Sequence, residues 1–350
     1  MNAMITAAPH FTGLAPAEHG GSRARREAMI VTNDRHIFVS GLLPRVVRRV
    51  ATIGTGMKAA VIDVGSNTIR LLVAESGECG LVTVEERRAQ VGLGVDVEDH
   101  GRVSKRKINE AAVTVRRFAT RAQELGCAGL VVAVTSPGRQ AANADRLITQ
   151  LERETTPHAV VVLSGEQEAQ FAWAGAVSRC GGSEGSLLVC DVGGGSTELA
   201  FGTRPGSPVW LHSIDIGSLR LSRRLHADRR LTKKRLATGW AEVEALLDDS
   251  PMPAPLRAVA VGGSARAISR IAGTSLGAGQ LSEAIRLLRM GSKGLRAKNV
   301  VIDPARTPTI AAGALILAAL QRRIAIPLEF VGAGLREGLA LSVLANCAAG

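Results

Sequence analysis

Two short stretches of this sequence carry residues whose types and spacing suit anion chemistry. The first is Asp63-Val64-Gly65-Ser66-Asn67-Thr68, with Arg70 two residues beyond. Glycine and small hydroxyl residues let backbone N–H groups approach an anion, and concave turns of this kind bind phosphate. An Asp at a strand end beside phosphate can hold a hydrated Mg²⁺ through one carboxylate oxygen. Arg70 would add a planar, permanent positive charge. Taken alone, the stretch reads equally well as an ordinary hairpin with an Asp-x-Gly turn. The second stretch, Asp191-Val192-Gly193-Gly194-Gly195-Ser196-Thr197-Glu198, is more specific. Three consecutive glycines between apolar strands cost roughly 0.5–1 kcal/mol each in backbone entropy, so a close ligand explains them better than a flexible loop does. Glu198 stands where it could orient a water or touch a metal.

Other residues could complete such a site. Val261-Gly262-Gly263-Ser264-Ala265-Arg266 runs a strand into a Gly-Gly helix start, which makes an anion site from free N–H groups or simply a tight turn. Glu166 and Glu168 follow Ser164-Gly165 in the first turn of a helix. Two residues apart they point about 200° from one another, so only one can face a given cleft. As surface carboxylates at a helix N-terminus they would also be at home. Thr135-Ser136-Pro137-Gly138-Arg139 ends a strand, where ligands sit in open α/β sheets, so Arg139 is either a phosphate clamp or a surface arginine. The seven His show no metal-binding pair, and His158 reads as structural.

These residues must be held by a framework of strands and helices. Ala59–Val64 and Ile69–Ala74 are apolar runs around a polar turn, which predicts a hairpin. Ser104 is a predicted N-cap, followed by Ile108, Ala112, Val115, Ala119, Ala122 and Leu125 at helical spacing and closed by Gly126. Strands are expected at Gly129–Thr135, Ala159–Leu163, Leu187–Val192, Leu199–Phe201, Ala258–Val261 and Leu328–Val331. Helices are expected at 145–153, 166–178, 232–247, 265–272, 282–288, 310–322 and 335–345. Helices alternating with apolar strands indicate an α/β sheet. The segments Val61–Leu72 and Val189–Ala200 superimpose, with Asp63 and Asp191 equivalent at a spacing of 128 residues. A repeat at this scale predicts two related halves facing each other.

The totals set limits. With 350 residues, 46 % hydrophobic and 21 % charged, the chain can build two soluble domains. Aromatics are 3 %, with no Tyr, which argues against base-stacking platforms for nucleic acid. The net charge of +12 favours polyanionic partners, or reflects an arginine-rich surface. Five scattered Cys form no C-x-x-C or zinc pattern, the apolar stretch 310–320 is too short to span a bilayer, and the N-terminus lacks a secretory layout. A cytoplasmic protein is expected. Residues 1–57 are expected to be a disordered basic extension, with a short helix at 24–28 and a strand at 37–43 as its only structure.

Taken together, Val61 to Arg70, Thr135 to Arg139 with Asn143, Ser164 to Ala169, Asp191 to Leu199, Gly262 to Arg266 and Gly334-Leu335-Arg336-Glu337-Gly338 resemble the exopolyphosphatase and guanosine pentaphosphate phosphohydrolase (Ppx/GppA) family, within the actin-like ATPase superfamily. The pieces occur in the family's order across nearly all of residues 58–344. The resemblance implies an α/β fold of two actin-like, ribonuclease H-like lobes around an interdomain cleft. It implies a first lobe at 58–165, a second at 166–334, and a last helix, 335–350, packing back on the first. It also implies an Mg²⁺-dependent hydrolase that removes terminal phosphate from inorganic polyphosphate, or the 5′ phosphate of guanosine pentaphosphate. A kinase on the same scaffold and a non-catalytic polyphosphate or alarmone sensor are the readings from other classes. No membrane or specific nucleic-acid partner is expected, and a homodimer is compatible.

By the same resemblance Glu168 is the carboxylate that activates a water, and Glu198 holds that water or the metal. Asp63 and Asp191 lie near Mg²⁺. Gly65, Ser66, Asn67 and Thr68, and Gly193, Gly194, Gly195 and Ser196, bind phosphates, with Arg70 and Arg139 adding charge. Two departures stand out. The family's Glu-Ala-Arg is Glu168-Ala169-Gln170 here, one positive charge fewer. The chain also resembles the family's short, two-domain members, which favours short polyphosphate or guanosine pentaphosphate over long-chain processivity.

Overall fold

In a computed structural model of the protein, the described residues are 29–32, 35–38 and 56–348, apart from 79, 157, 181–183, 226–231, 249–251, 297–298 and 304–305. Strands β1 (Met29–Thr32) and β2 (Arg35–Phe38) form a hairpin that reaches the first sheet through Thr32 opposite Gly129. These strands fall inside the stretch 1–57, and residues 37–38 of β2 belong to the strand expected at 37–43. Their β-branched and aromatic members Ile30, Val31, Ile37 and Phe38 suit a pleated strand better than an isolated coil. The expected helix at 24–28 and residues 39–43 of the expected strand lie outside the described residues.

The first lobe then runs β3 (Lys58–Val64), β4 (Thr68–Gly77), β5 (Gly80–Gln90), α1 (Leu93–His100), α2 (Lys105–Glu124), β6 (Gly129–Val134), α3 (Ser136–Gln140), α4 (Ala144–Thr155) and β7 (Ala159–Val162). The second runs α5 (Gly165–Arg179), β8 (Gly185–Val192), β9 (Thr197–Arg204), β10 (Pro208–Ile214), α6 (Ser218–Arg224), α7 (Lys233–Asp248), β11 (Arg257–Val261), α8 (Gly262–Ala272), β12 (Ser275–Leu276), α9 (Ala278–Arg289), α10 (Ser292–Arg296), α11 (Thr307–Ile324) and β13 (Leu328–Phe330). The last helix, α12 (Leu335–Cys347), packs on the first sheet: Leu339, Ala340, Val343 and Leu344 join Ala59, Val61 and Leu72 in one core.

Both sheets share one plan. Strands are ordered β5-β4-β3-β6-β7 in the first lobe and β10-β9-β8-β11-β13 in the second. The first three of each are antiparallel, and the remaining two run parallel to the central β3 or β8. This is the ribonuclease H-like order, made twice. The 128-residue repeat persists in the registers. Asp63 pairs with Arg70 across β3–β4, and Asp191 with Glu198 across β8–β9. Arg70 and Glu198 therefore occupy equivalent positions with opposite charge.

The central strands of each sheet are buried on both faces and mainly apolar, with Asp63 and Asp191 near their ends. Ala60, Ile62 and Val64 of β3 face α2, while Ala59 and Val61 face α12. By that alternation Asp63 is on the α12 face, at the strand end. Leu187 and Val189 of β8 likewise face α5, and Asp191 follows them. Ser104 caps α2 as expected, accepting from Lys107 N–H at 3.4 Å. β5 has no sequence signature because it is an edge strand with most side chains exposed, so neither face shows alternation.

Candidate active site between the lobes

The two Asp-Val-Gly turns meet at the interdomain cleft, and their backbones are folded alike. Gly65 N–H donates to Thr68 O at 3.1 Å, and Gly193 N–H donates to Ser196 O at 3.0 Å. Behind each turn, a short helix start holds the carbonyls. Gly92 and Gly94 N–H donate to Asn67 O and Ser66 O at 3.0 and 2.7 Å. In the second lobe Ser218 and Leu219 N–H donate to Gly193 O and Gly194 O, both at 2.9 Å. With the carbonyls tied back, the N–H groups of Ser66, Asn67, Gly194 and Gly195 have no protein acceptor among the described residues. Such N–H groups, arrayed in a concave turn, are donors waiting for an anion.

The glycines also have a packing reason. A Cβ on Gly194 would stand 3.0 Å from Ser66 Cβ, and one on Gly195 would overlap Ser136 Oγ. The turns thus touch across the lobes, and only glycine permits it. Within the first lobe, Ser66 Oγ donates to Ser136 Oγ at 3.3 Å.

Glu168 enters from α5. The helix opens with a capping box: Gln167 N–H donates to Ser164 Oγ at 3.1 Å and Ser164 N–H to Gln167 Oε1 at 2.9 Å. This fixes the first turn so that Glu166 is exposed and Glu168 is buried in the cleft wall, 6 % exposed. Glu198, 3 % exposed, accepts from Ser213 Oγ at 3.1 Å. Burial, then the nearby Glu198 charge, raises the Glu168 carboxyl well above the ordinary range, against the pull of Arg139. Burial likewise pushes Glu198 up to about 7, against a hydrogen bond from Ser196. Burial and then the Asp63 charge push Asp191 up to about 6. Asp63 is also raised by burial, with Arg336 and Arg70 opposing.

Every expected site residue lines this cleft except Arg139. Arg139 is held instead by protein acceptors. Its guanidinium pairs with Glu168, donates to Leu163 O at 2.6 Å and Ser196 Oγ at 3.4 Å, and lies 4.0 Å from Glu198. From α3, in the first lobe, Arg139 is aimed at the carboxylates of the second.

The cleft contains residues that the sequence reading did not assign. Arg88 comes from β5, Arg266 from α8, Arg306 from the loop before α11, and Arg336 and Glu337 from the start of α12. Arg336 pairs with Glu86 at 3.1 Å, and Glu337 caps its own helix by accepting from Gly334 N–H at 2.7 Å. The Leu-Arg-Glu-Gly motif was the only signal for the last two. Arg88 and Arg306 lie in stretches without periodicity and had none.

Asp63 and Asp191 both reach this cleft and offer carboxylate oxygens, the ligand type that suits a hard cation. Among the described residues no three His, Cys, Asp or Glu side chains enclose a metal position. A cation here would therefore be shared between one or two carboxylates and phosphate oxygens, the usual mode for Mg²⁺.

A model described as the Ppx/GppA phosphatase family matches residues 72–347. The chain is 30 % identical over 308 residues to exopolyphosphatase 1 of Mycobacterium leprae (strain TN), covering 82 % of this chain and 90 % of that protein. It is 28 % identical over 307 residues to the guanosine-5′-triphosphate,3′-diphosphate pyrophosphatase of Aeromonas salmonicida (strain A449), covering 82 % of this chain and 59 % of that protein. Among solved structures it is similar to the Ppx/GppA family member of Aquifex aeolicus, with a TM-score of 0.69 and 25 % identity over 82 % of this chain and 97 % of that one. The fold also matches an exopolyphosphatase from Cytophaga hutchinsonii ATCC 33406, with a TM-score of 0.71 and 20 % identity over 83 % of this chain and 98 % of that one.

Proposed function

The chain belongs to the Ppx/GppA phosphatase family and is a phosphoanhydride hydrolase, and on that footing we propose that it removes the terminal phosphate of inorganic polyphosphate. The observation that carries the reading is the joining, in one cleft, of two phosphate-type turns with the buried Glu168–Glu198 pair. The free N–H groups of the turns would hold phosphate oxygens, and Arg70, Arg88, Arg266 and Arg306 would neutralise the chain beyond them. Glu168 would accept a proton from the attacking water. The water oxygen then bonds to the terminal phosphorus, the bridging P–O bond breaks, and the products are orthophosphate and a chain shorter by one unit. Positioning and charge neutralisation supply most of the acceleration in such transfers, and a placed base contributes about 10²–10⁴-fold.

Asp63 and Asp191 would hold Mg²⁺ with the substrate. When bound, the ion would neutralise developing charge on phosphate oxygens. The 5′ phosphate of guanosine pentaphosphate is the second reading, favoured by the similarity to the Aeromonas pyrophosphatase. Inorganic polyphosphate is preferred because, among the described residues, the cleft lining has no aromatic side chain on which a guanine could stack. Among the described residues no helix is long and apolar enough to cross a membrane. Cys127, Cys180, Cys190 and Cys347 are free thiols, which supports a cytoplasmic setting.

The test is phosphate release from polyphosphates of graded length and from guanosine pentaphosphate, with and without Mg²⁺. Orthophosphate release from polyphosphate without an acceptor is expected. Turnover that needs an acceptor, or none on either substrate, overturns the proposal.

A further inference from the structure

The first lobe carries a second concavity, away from the cleft. Its walls are the C-terminal end of α1, the loop into α2, the first turn of α2 and the start of α4. Three cationic side chains converge there, Arg102, Lys105 and Arg146, beside His100. The acid in the wall, Asp96, is already satisfied. Lys107 Nζ lies 2.7 Å from one of its oxygens, and Ser104 N–H donates to the other at 2.9 Å. Although burial opposes it, hydrogen bonds from Lys107 and Ser104 hold the Asp96 carboxyl down at about 2. Among the described residues Arg102, Lys105 and Arg146 have no ion-pair partner. The adjoining turn of α2 is Lys105-Arg106-Lys107 with no acid, the reverse of what a helix N-terminus favours. Like charges left unpaired around one concavity, at the expense of local stability, indicate a surface kept for a polyanion.

We propose that this groove is a second, non-catalytic binding site for inorganic polyphosphate, gripping a distal stretch of a chain whose end lies in the cleft. The proposal rests on the polyphosphate reading above. Nucleic acid is the less suitable polyanion, because among the described residues the groove has no aromatic wall for bases. The two sites are mechanically joined by α1. Its N-terminal end holds the carbonyls of Ser66 and Asn67, and its C-terminal end, His100, forms the groove wall. Eight helical residues separate them by about 12 Å. A chain held at both points binds with the avidity of two linked contacts, whereas a substrate too short to reach the groove gains nothing.

The experiment compares the full-length protein with the triple variant Arg102→Gln/Lys105→Gln/Arg146→Gln. All three side chains are exposed and outside the catalytic cleft. A charge-matched control is Lys233→Gln/Lys234→Gln/Arg235→Gln on α7. KM is measured for tripolyphosphate and for chains of about one hundred phosphates, and long-chain binding is measured directly in a Glu168→Gln background. The groove variant should raise KM for long chains about tenfold, leave tripolyphosphate turnover unchanged, and weaken long-chain binding, while the control does none of these. Equal KM changes for both lengths, an equal effect of the control, or displacement of polyphosphate from the groove by RNA at matched phosphate concentration each overturns the proposal. If the wild-type protein releases no phosphate from any polyphosphate, the underlying function fails instead. Circular dichroism of the variants separates either result from misfolding.

Discussion

At the residue scale, the site turns on carboxylates kept close together out of water. Glu168→Gln should lower phosphate release by about 10²–10⁴-fold while a thermal melt shows an intact fold; turnover within tenfold of wild type would sink its role as base. Arg139 makes a different prediction from the one its motif suggested. Because it pairs with Glu168 and lies near Glu198, Arg139→Gln should reduce kcat by about tenfold or more, as expected when a base loses its positioning. KM should change little, and Arg139→Lys should recover part of the loss. A rise in KM alone would mean a phosphate contact after all. The raised carboxyls also set a pH dependence. Glu198 goes from 4.5 to about 7 and Asp191 from 3.8 to about 6. The folded state therefore binds these protons more tightly than the unfolded chain. The associated stability is complete below about 4, and it is lost as pH rises through about 6–7. Without divalent ions the melting temperature should fall by roughly a few degrees between pH 5 and pH 8. Differential scanning calorimetry of wild type and Glu198→Gln checks this, with the variant showing the flatter profile.

At the element scale, two helices that are equivalent in the two lobes pack against each other through glycine. A Cβ on Gly175 of α5 would overlap the Gly334 carbonyl, and one on Gly338 of α12 would overlap the Phe171 carbonyl. Since both obstacles are backbone, neither can rotate away. Gly175→Ala and Gly338→Ala should each destabilise the protein by about 1–3 kcal/mol, measured by urea denaturation. Both helices begin at the cleft, so the shift should also reduce turnover through Glu168. The short helices α1 and α6 have a comparable task. Their first N–H groups hold the carbonyls of the phosphate turns, leaving the turns' own N–H groups pointing into the cleft.

At the scale of the whole molecule, α1 and α6 also meet across the lobes. Arg220 donates to Glu98 at 2.6 Å and Arg223 pairs with Asp99 at 2.6 Å. Gln140 of the first lobe donates to Asp215 of the second at 2.5 Å, and Asp215 lies 2.9 Å from Arg220. Arg220 is 7 % exposed, so Arg220→Ala strands Glu98 and should cost about 3 kcal/mol. The exposed pair of Arg223 contributes less, about 0–1 kcal/mol. Small-angle scattering should show a wider cleft for Arg220→Ala and little change for Arg223→Ala. Equal dimensions for all three proteins would remove these bonds as a closure device.

What the sequence determined by itself was mostly what local pattern encodes. The apolar runs of β3, β6, β8 and β11 are buried on both faces, and that burial is visible as uninterrupted Val, Ile, Leu and Ala. The spacing of Asp63 and Asp191 carried the two-lobe plan, because a repeated turn needs a repeated framework. The cleft residues of those turns were legible for the same reason. Glu168 was marked only through its motif, since a helix-start Glu is ordinary until something is known to face it. Tertiary structure decided the rest. The edge strand β5 is exposed on both faces and leaves no alternation to read, so Arg88 was invisible. Arg306 enters from a loop. Arg139 meets Glu168 and Ser196 from another segment, contacts that no spacing within one segment contains. Hydrogen bonds across the cleft join residues as many as 124 positions apart, and their distances depend on how the two lobes close.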